Sequence, residues 1–203
     1  QLVCIFMDTK DLIINKVYHD MQVNGFQGLR ADKVVTELGI TKGAFYHYFK
    51  SKHEIAYAVI IHIIKPQWLK PFQEIQSELN KKENVNLIKL LHQFLDKQIK
   101  LASEDFNFSG CPFNNLVQEM GSRDEFFRVE LKKIYDEALN ILSSSIKLDQ
   151  KRGNIKKDLH ANNEVLFFLS SLEGATIHLK INKDLQSYKS TLKVLKEYIK
   201  TWN

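Results

Sequence analysis

The sequence predicts an all-α fold, and three observations carry that prediction. Leu, Ile, Lys and Glu recur at helical spacing along all 203 residues. Only 3 Pro and 8 Gly are present, which argues against an all-β or a disordered chain, while a hydrophobic fraction of 44% supplies a sizeable core. The glycines and prolines that do occur punctuate the periodic segments, at Asn24-Gly25, Gly39, Gly110-Cys111-Pro112 and Gly153. The expected architecture is about nine helices. A small three-helix unit should occupy residues 1–52, with residues 1–7 as a tail, and a larger helical unit residues 53–203.

A first helix is expected from Asp8 to Val23, with Leu12, Ile13, Val17 and Met21 inward and Asn24-Gly25 as its stop. Residues 1–6 look like upstream sequence or an added remnant before Met7, the expected natural start. A short second helix runs from Ala31 to Leu38, and Gly39 separates it from a third that starts at Lys42. Ser51, with Glu54 three residues on, reads as the capping box of a fourth helix running towards Ile64, which Pro66 and Pro71 should interrupt or kink. Asn80 to Asn84 is a polar break, and a fifth helix covers Val85 to Ser103. After a loop at Asn107 to Gly110, Pro112 is expected at the first position of a sixth helix ending near Gly121. A seventh spans Arg123 to Leu148, followed by a charged loop from Asp149 to Asn154. The last two cover Asn163 to Ile181 and Leu185 to Trp202.

The segment from Gly39 to His53 is the most informative in the chain. Two short helices joined by a turn with Gly form a helix-turn-helix, whose second helix enters the DNA major groove. Phe45 and Phe49 are four apart and suit a core, which leaves Lys42, Gly43, Tyr46 and His47 on an outward face. Lys42 can reach a base edge or a phosphate, and Gly43 lets the backbone approach the duplex. Tyr46, His47 and Tyr48 offer polar tips to phosphate oxygens. Lys-Gly-Ala-Phe-Tyr-His-Tyr-Phe followed by Lys-Ser-Lys closely resembles the signature of TetR-type transcriptional regulators, over roughly residues 8–60. The resemblance implies DNA contacts from Thr41, Lys42, Gly43, Ala44, Tyr46, His47, Tyr48 and Lys52. One position departs from it: where the family carries a Ser or Thr that opens the second helix and touches phosphate, this chain has Leu29-Arg30, and Arg30 is the substitute contact.

The resemblance further implies a homodimer on a palindromic double-stranded operator, released by a small-molecule or electrophile effector. Repression is the expected sense of control. Recognition of a two-fold site needs a dimer, and the last two helices are the expected interface, the plainer alternative being that they complete the monomer core. Leu166, Ser170, Gly174 and Ile177 are its candidates on the first of them, and Leu192, Leu195 and Ile199 on the second. Effector candidates in the larger unit combine apolar walls with a few polar groups. They are Trp68, Phe72, His92 and Phe106, then Cys111, Asn115, Glu119, Tyr135 and Phe168. Phe94, Gln98, Phe108 and Glu173 are further members of the same aromatic and polar mix. Ser109 to Leu116 resembles a segment of the N-ethylmaleimide-responsive repressor subgroup, whose namesake senses electrophiles with a cysteine at this place while related regulators carry Gly-Cys here without a known redox function. Pro112 should put Cys111 near a helix N-terminus, where free N–H groups stabilise a thiolate. The bland alternative is a small residue filling the turn.

Other chemistries find little support. The seven His show no metal-ligand spacing, and neither a nucleophile elbow nor a phosphate loop occurs. No enzyme activity, cofactor or metal is therefore expected. The rival reading is an all-α small-molecule carrier or enzyme with a vestigial DNA-binding head. Net charge of +5 suits an anionic partner. Residues 1–52 hold seven Lys or Arg against five Asp or Glu, so placement rather than total charge must act on DNA. Cys4 and Cys111 suggest no disulfide framework, no segment reads as membrane-spanning, and a cytoplasmic location is expected.

Overall fold

The computed structural model describes residues 8–104 and 110–203, and these are helical throughout apart from turns. The tail, Cys4, Phe106 and Phe108 lie outside the described residues. Helix α1 (Thr9–Gly28) is broken at Gly25, whose φ of 70° and ψ of 175° confirm the Asn24-Gly25 stop and leave a short turn after it. Ile13, Ile14, Val17 and Met21 of α1 are buried, whereas Leu12 is 42% exposed, one position off the inward stripe expected for it. Helices α2 (Ala31–Leu38) and α3 (Lys42–Tyr48) complete the head.

Helix α4 runs over residues 52–81 without a break, in three segments: Lys52–Val59, a π-helical turn at Ile60–Ile64, and Lys65–Lys81. The interruption expected at Pro66 and Pro71 is absent. A proline inside a helix has no N–H and crowds the carbonyl four residues back. The wider turn just before Pro66 relieves the first conflict, and Pro71 sits within the helix. At the start of α4, Ser51 Oγ accepts the Glu54 N–H at 3.0 Å, and Glu54 Oε2 accepts the Lys50 N–H at 2.6 Å. That is the expected capping box, with the return bond one residue earlier.

Helices α5 (Leu87–Glu104), α6 (Pro112–Met120) and α7 (Glu125–Lys151) come next, then α8 (Ala161–Asn182) and α9 (Leu185–Lys200). The expected loop from Asp149 is displaced, because α7 continues to Lys151 and fully buries Asp149. Its Oδ2 accepts the Leu87 N–H at 2.6 Å and its Oδ1 accepts the Asn154 amide at 2.9 Å, so one carboxylate ties the starts of α5 and of the following turn to α7. In the larger unit α4 packs on α7, α7 on α8, and α8 and α5 on α9. Trp202 closes the end of this core, buried with its indole N–H on Glu164 Oε2 at 3.0 Å. The head joins it through α1, which packs on α4 and α6.

Candidate DNA-reading face and ligand cavity

The turn of the head is made by Gly39, whose left-handed φ of 64° lets its N–H return to the Thr36 carbonyl at 3.2 Å. Thr41 opens α3 by accepting the Ala44 N–H on Oγ1 at 3.1 Å. Phe45 and Phe49 are 3% and 2% exposed, so they anchor the helix. Their burial turns Thr41, Lys42, Gly43, Tyr46 and His47 to solvent together, the face expected from their spacing. Ala44 and Tyr48 are half-buried, and Tyr48 is drawn against the core rather than standing with Tyr46.

The cations of the head are mostly engaged with neighbours. Lys42 pairs with Asp32 at 2.8 Å on an exposed surface, where a phosphate could take the carboxylate's place. Lys33 pairs with Asp20 at 3.0 Å and Lys16 with Glu37. Lys52 departs from its expected phosphate contact. Its Nζ donates to the Gln27 carbonyl at 2.9 Å and lies 4.7 Å from the Phe26 ring centroid, because the start of α4 faces the α1–α2 junction. Burial there lowers the Lys52 pKa. Arg30 precedes α2 without capping it, is exposed, and is in no ion pair among the described residues.

That junction carries a contact the sequence did not reveal. Glu119, near the end of α6, accepts the Phe26 N–H on Oε2 at 2.9 Å and the Gln27 N–H on Oε1 at 2.8 Å. The carboxylate caps the turn after Gly25. Only glycine fits there: its φ is positive, and a Cβ would lie 2.8 Å from either Glu119 oxygen. Glu119 is therefore a clamp between head and body; it lines neither of the two cavities beside Trp68 and borders only a separate surface hollow. A second tie joins His53 Nε2 to Asp124 Oδ2 at 2.8 Å, which holds the start of α4 to the start of α7 and lowers the Asp124 pKa.

Two cavities, of about 250 and 510 Å³, open in the larger unit and share one wall made by Trp68, Phe113 and Glu173. The Trp68 and Phe113 rings stack with centroids 4.1 Å apart. Of the expected effector residues, Trp68, Phe72 and Cys111 line the first cavity and Tyr135 the second. Phe94 and Gln98 also line the first. Asn115 lies beside a separate surface hollow and accepts from Lys180 Nζ at 3.1 Å. His92 lines neither cavity, because its ring bonds the Lys196 carbonyl at 3.0 Å and joins α5 to α9. Phe168 is 1% exposed and belongs to the core between the helices. Phe113 and Tyr188 are lining residues outside the expected set. Phe113 could have been found from its place in the Cys111 segment, whereas Tyr188 comes from the last helix, remote in sequence.

Cys111 does stand at the N-terminus of α6, but its thiol is not activated. Burial and the neighbouring Glu173 carboxylate push its pKa far up, and the N–H groups of Phe113 and Asn114 do not compensate. The thiolate stabilisation expected from the helix end is thus overridden by desolvation.

On α8, Leu166, Ser170 and Ile177 are exposed, and a Cβ on Gly174 would meet open space. On α9 the expectation fails. Leu192, Leu195 and Ile199 are 0%, 3% and 0% exposed and face α8 and α5 within the same chain. Their stripe, shared with Tyr188, is the apolar side of an amphipathic helix, and a monomer core has first claim on it. The apolar residues left outside are Phe167 and Ile181 on α8 and Val194 on α9, beside Leu166 and Ile177.

Comparison with known proteins agrees with this geometry. A family model described as "Bacterial regulatory proteins, tetR family" matches residues 21–59, and one described as "Tetracyclin repressor-like, C-terminal domain" matches residues 88–195. An HTH-type transcriptional regulator in the lacX 3′ region of Lactococcus lactis subsp. lactis is 27% identical, with 93% of this chain and 92% of that one aligned. The HTH-type transcriptional repressor DhaR of Mycobacterium sp. (strain GP1) is 22% identical over 85% of this chain and 83% of its own. Among solved structures, a TetR regulator from Chloroflexus aurantiacus superposes with a TM-score of 0.80 at 20% identity, covering 95% of this chain and 94% of that one. Reduced NemR of E. coli superposes at 0.78 and 19% identity, covering 94% and 96%. The helix-turn-helix match and the match across most of the larger unit have one meaning: the chain belongs to the TetR family of bacterial transcriptional regulators.

Proposed function

We propose that this chain is a transcriptional repressor that grips a palindromic operator as a homodimer and lets go when a small molecule enters the cavity beside Trp68. The observation that carries the reading is the position of α6. Its first turn, at Cys111, Pro112 and Phe113, lines the cavity, and its last turn holds the head through Glu119. Nine residues at about 1.5 Å each make this helix a strut of roughly 13 Å. A ligand that favours a shifted α6 moves Glu119, and with it the backbone at Phe26 and Gln27 that leads into α2. The two recognition helices of a dimer must stand about one DNA turn apart to read two half-sites, so small rotations of each head weaken binding.

Dimerisation is supported by the stripe Leu166, Ser170, Gly174, Ile177 and Ile181 on α8, apolar or small at successive helical turns and open to solvent. Arg30, Lys42, Tyr46 and His47 would make the operator contacts. The test is a mobility shift with the DNA upstream of the chain's own gene, repeated over a salt series. Specific binding that falls steeply with salt, and is weakened by Lys42→Ala, supports the reading. Equal, weak retention of that DNA and of unrelated DNA refutes it.

A further inference from the structure

The cavity of about 250 Å³ is walled by α4, α5, α6, α8 and α9 with aromatic and aliphatic side chains, and Glu173 is the one charged residue that lines it among the described residues. Its remaining polar lining comes from neutral groups such as Gln67, Gln98, Thr176 and Tyr188. The Glu173 carboxyl is incompletely satisfied. Oε1 accepts the Trp68 indole N–H at a long 3.4 Å, while Oε2 is buried with no hydrogen-bond partner among the described residues. An orphaned buried acceptor is unfavourable, so a group left in this state in a cavity is a place for a donor to arrive.

We propose that the cavity binds a small aryl-alkyl ammonium ion, with the cation on Glu173 and its ring against the Trp68–Phe113 stack. This deepens the repressor reading by naming its effector class, and rests on that reading only for the release of DNA. Three features select this ligand over others. Glu173 offers an acceptor that a carboxylate or phosphate ligand would repel, and among the described residues no Lys, Arg or His lines the cavity to receive an anion. The Trp68 and Phe113 faces, with Phe72 edge-on to Trp68 at 5.8 Å, supply the negative ring surfaces that attract a cation. The volume lies just under the roughly 300–1,000 Å³ typical of drug-sized ligands, which fits one or two rings.

Burial holds the Glu173 pKa above the usual carboxylate range, against the Cys111, Trp68 and Asn114 side chains that favour its ionised form. A bound ammonium ion shifts the balance towards the ionised carboxylate. Among the described residues, the other ionisable groups facing it are Cys111 in the turn before α6, Tyr188 on α9, and Tyr135, Arg128 and Lys132 of α7 on the far side of the shared wall. Burial raises the pKa values of Cys111, Tyr188 and Tyr135, and Arg128 and Lys132 are paired with Glu125 and Asp136. Glu125 and Asp136 are themselves carboxyls beside the shared wall, so Glu173→Gln, rather than acid alone, isolates the contribution of Glu173.

The experiment is titration calorimetry on the full chain with matched probes: phenylethylamine, naphthylmethylamine and tryptamine, each against its neutral alcohol and its carboxylate counterpart. At least one amine should bind ten-fold or more tightly than its alcohol, and the carboxylates should not bind. Glu173→Gln, nearly isosteric and checked for an unchanged helical spectrum, should abolish the amine preference while the alcohol still binds. If no amine outbinds its alcohol, or if Glu173→Gln keeps the preference, the ligand class is wrong. Operator binding is measured separately on the same preparations. A protein that shifts its operator yet ignores every amine refutes this inference alone, whereas one that binds amines but no operator refutes the repressor reading alone.

Discussion

Replacing Glu119 by Gln should loosen the head from the body by a calculable amount. The carboxylate accepts two backbone N–H groups, at 2.9 and 2.8 Å, and both belong to the short turn after Gly25. Hydrogen bonds to a charged acceptor contribute about 1.5–3 kcal/mol each, and Glu119 is only half-buried, so the lower end applies. Glutamine keeps the length of the side chain but has one carbonyl oxygen. Its amide would set a donor against the second N–H, so one bond and the charge are lost together. The expected loss is about 2 kcal/mol, which is a thermal shift of about 4–8 °C for a domain of this size. Amide exchange is the sharper assay. Protection at Phe26 and Gln27 should fall by about 30-fold, the equivalent of about 2 kcal/mol, while amides of the α7 core keep theirs. Operator affinity should fall as well, since the head's orientation is less defined, and ligand-driven release should shrink. If exchange at Phe26 and Gln27 stays within two-fold of wild type, Glu119 does not hold the head and the strut mechanism fails.

The same geometry fixes the outcome of other substitutions. Lys42→Ala should weaken operator binding and relax its sequence preference by about 1–3 kcal/mol if the side chain leaves Asp32 for a base edge, whereas Tyr46→Ala should weaken specific and unrelated DNA alike; quantitative mobility shifts separate the two. Lys52→Ala should lower thermal stability more than it alters the salt dependence of DNA binding, because its partners are Gln27 and the Phe26 ring. Gly174→Trp enters open space in the monomer, so it should leave the fold intact and yield monomers by sedimentation; a well-folded dimer would move the interface off α8. In a Cys4→Ser background, Cys111 should alkylate far more slowly than a free thiol at neutral pH and faster as pH rises, since a raised pKa leaves little thiolate; rapid labelling at neutral pH, read by mass, would contradict that.

How much the sequence disclosed depends on the range of the physics involved. The head was legible because its signals are local: Gly39 turns the chain, Thr41 and Ser51 cap the helices beside it, and Phe45 and Phe49 fix which face points out. The cavity was legible as a composition, in that Trp68, Phe72, Cys111 and Tyr135 line it, but not as a shape. Whether an aromatic borders a void or fills the core, as Phe168 does, depends on neighbours from distant helices. Errors of the same kind befell α9. Leu192, Leu195 and Ile199 form a stripe that would suit either a partner chain or α8, and periodicity does not say which. The prolines of α4 misled for a different reason: the local rule for Pro66 held, and the chain answered it with a π-helical turn rather than a break.

Glu119 and Glu173 show why side-chain type alone misassigned a function. Both looked like polar groups for a cavity, and each lies on a helix that borders one. Glu119 falls seven residues into α6, past the cavity and level with the turn at Gly25, where two free N–H groups meet it. Glu173 lies mid-way along α8, where aromatic rings from α4 and α6 deprive it of water and one oxygen has no hydrogen-bond partner among the described residues. The first carboxylate is satisfied and holds the head; the second is unsatisfied and awaits a donor. A ligand that satisfies the second must press on Phe113 and Cys111 at the start of the helix that carries the first. Saturating Glu173 and releasing Glu119 are then opposite ends of one displacement. If Glu173→Gln leaves part of the amine response, adding Glu119→Gln should remove no more of it, and an additive loss would mean that the two carboxylates act through separate routes.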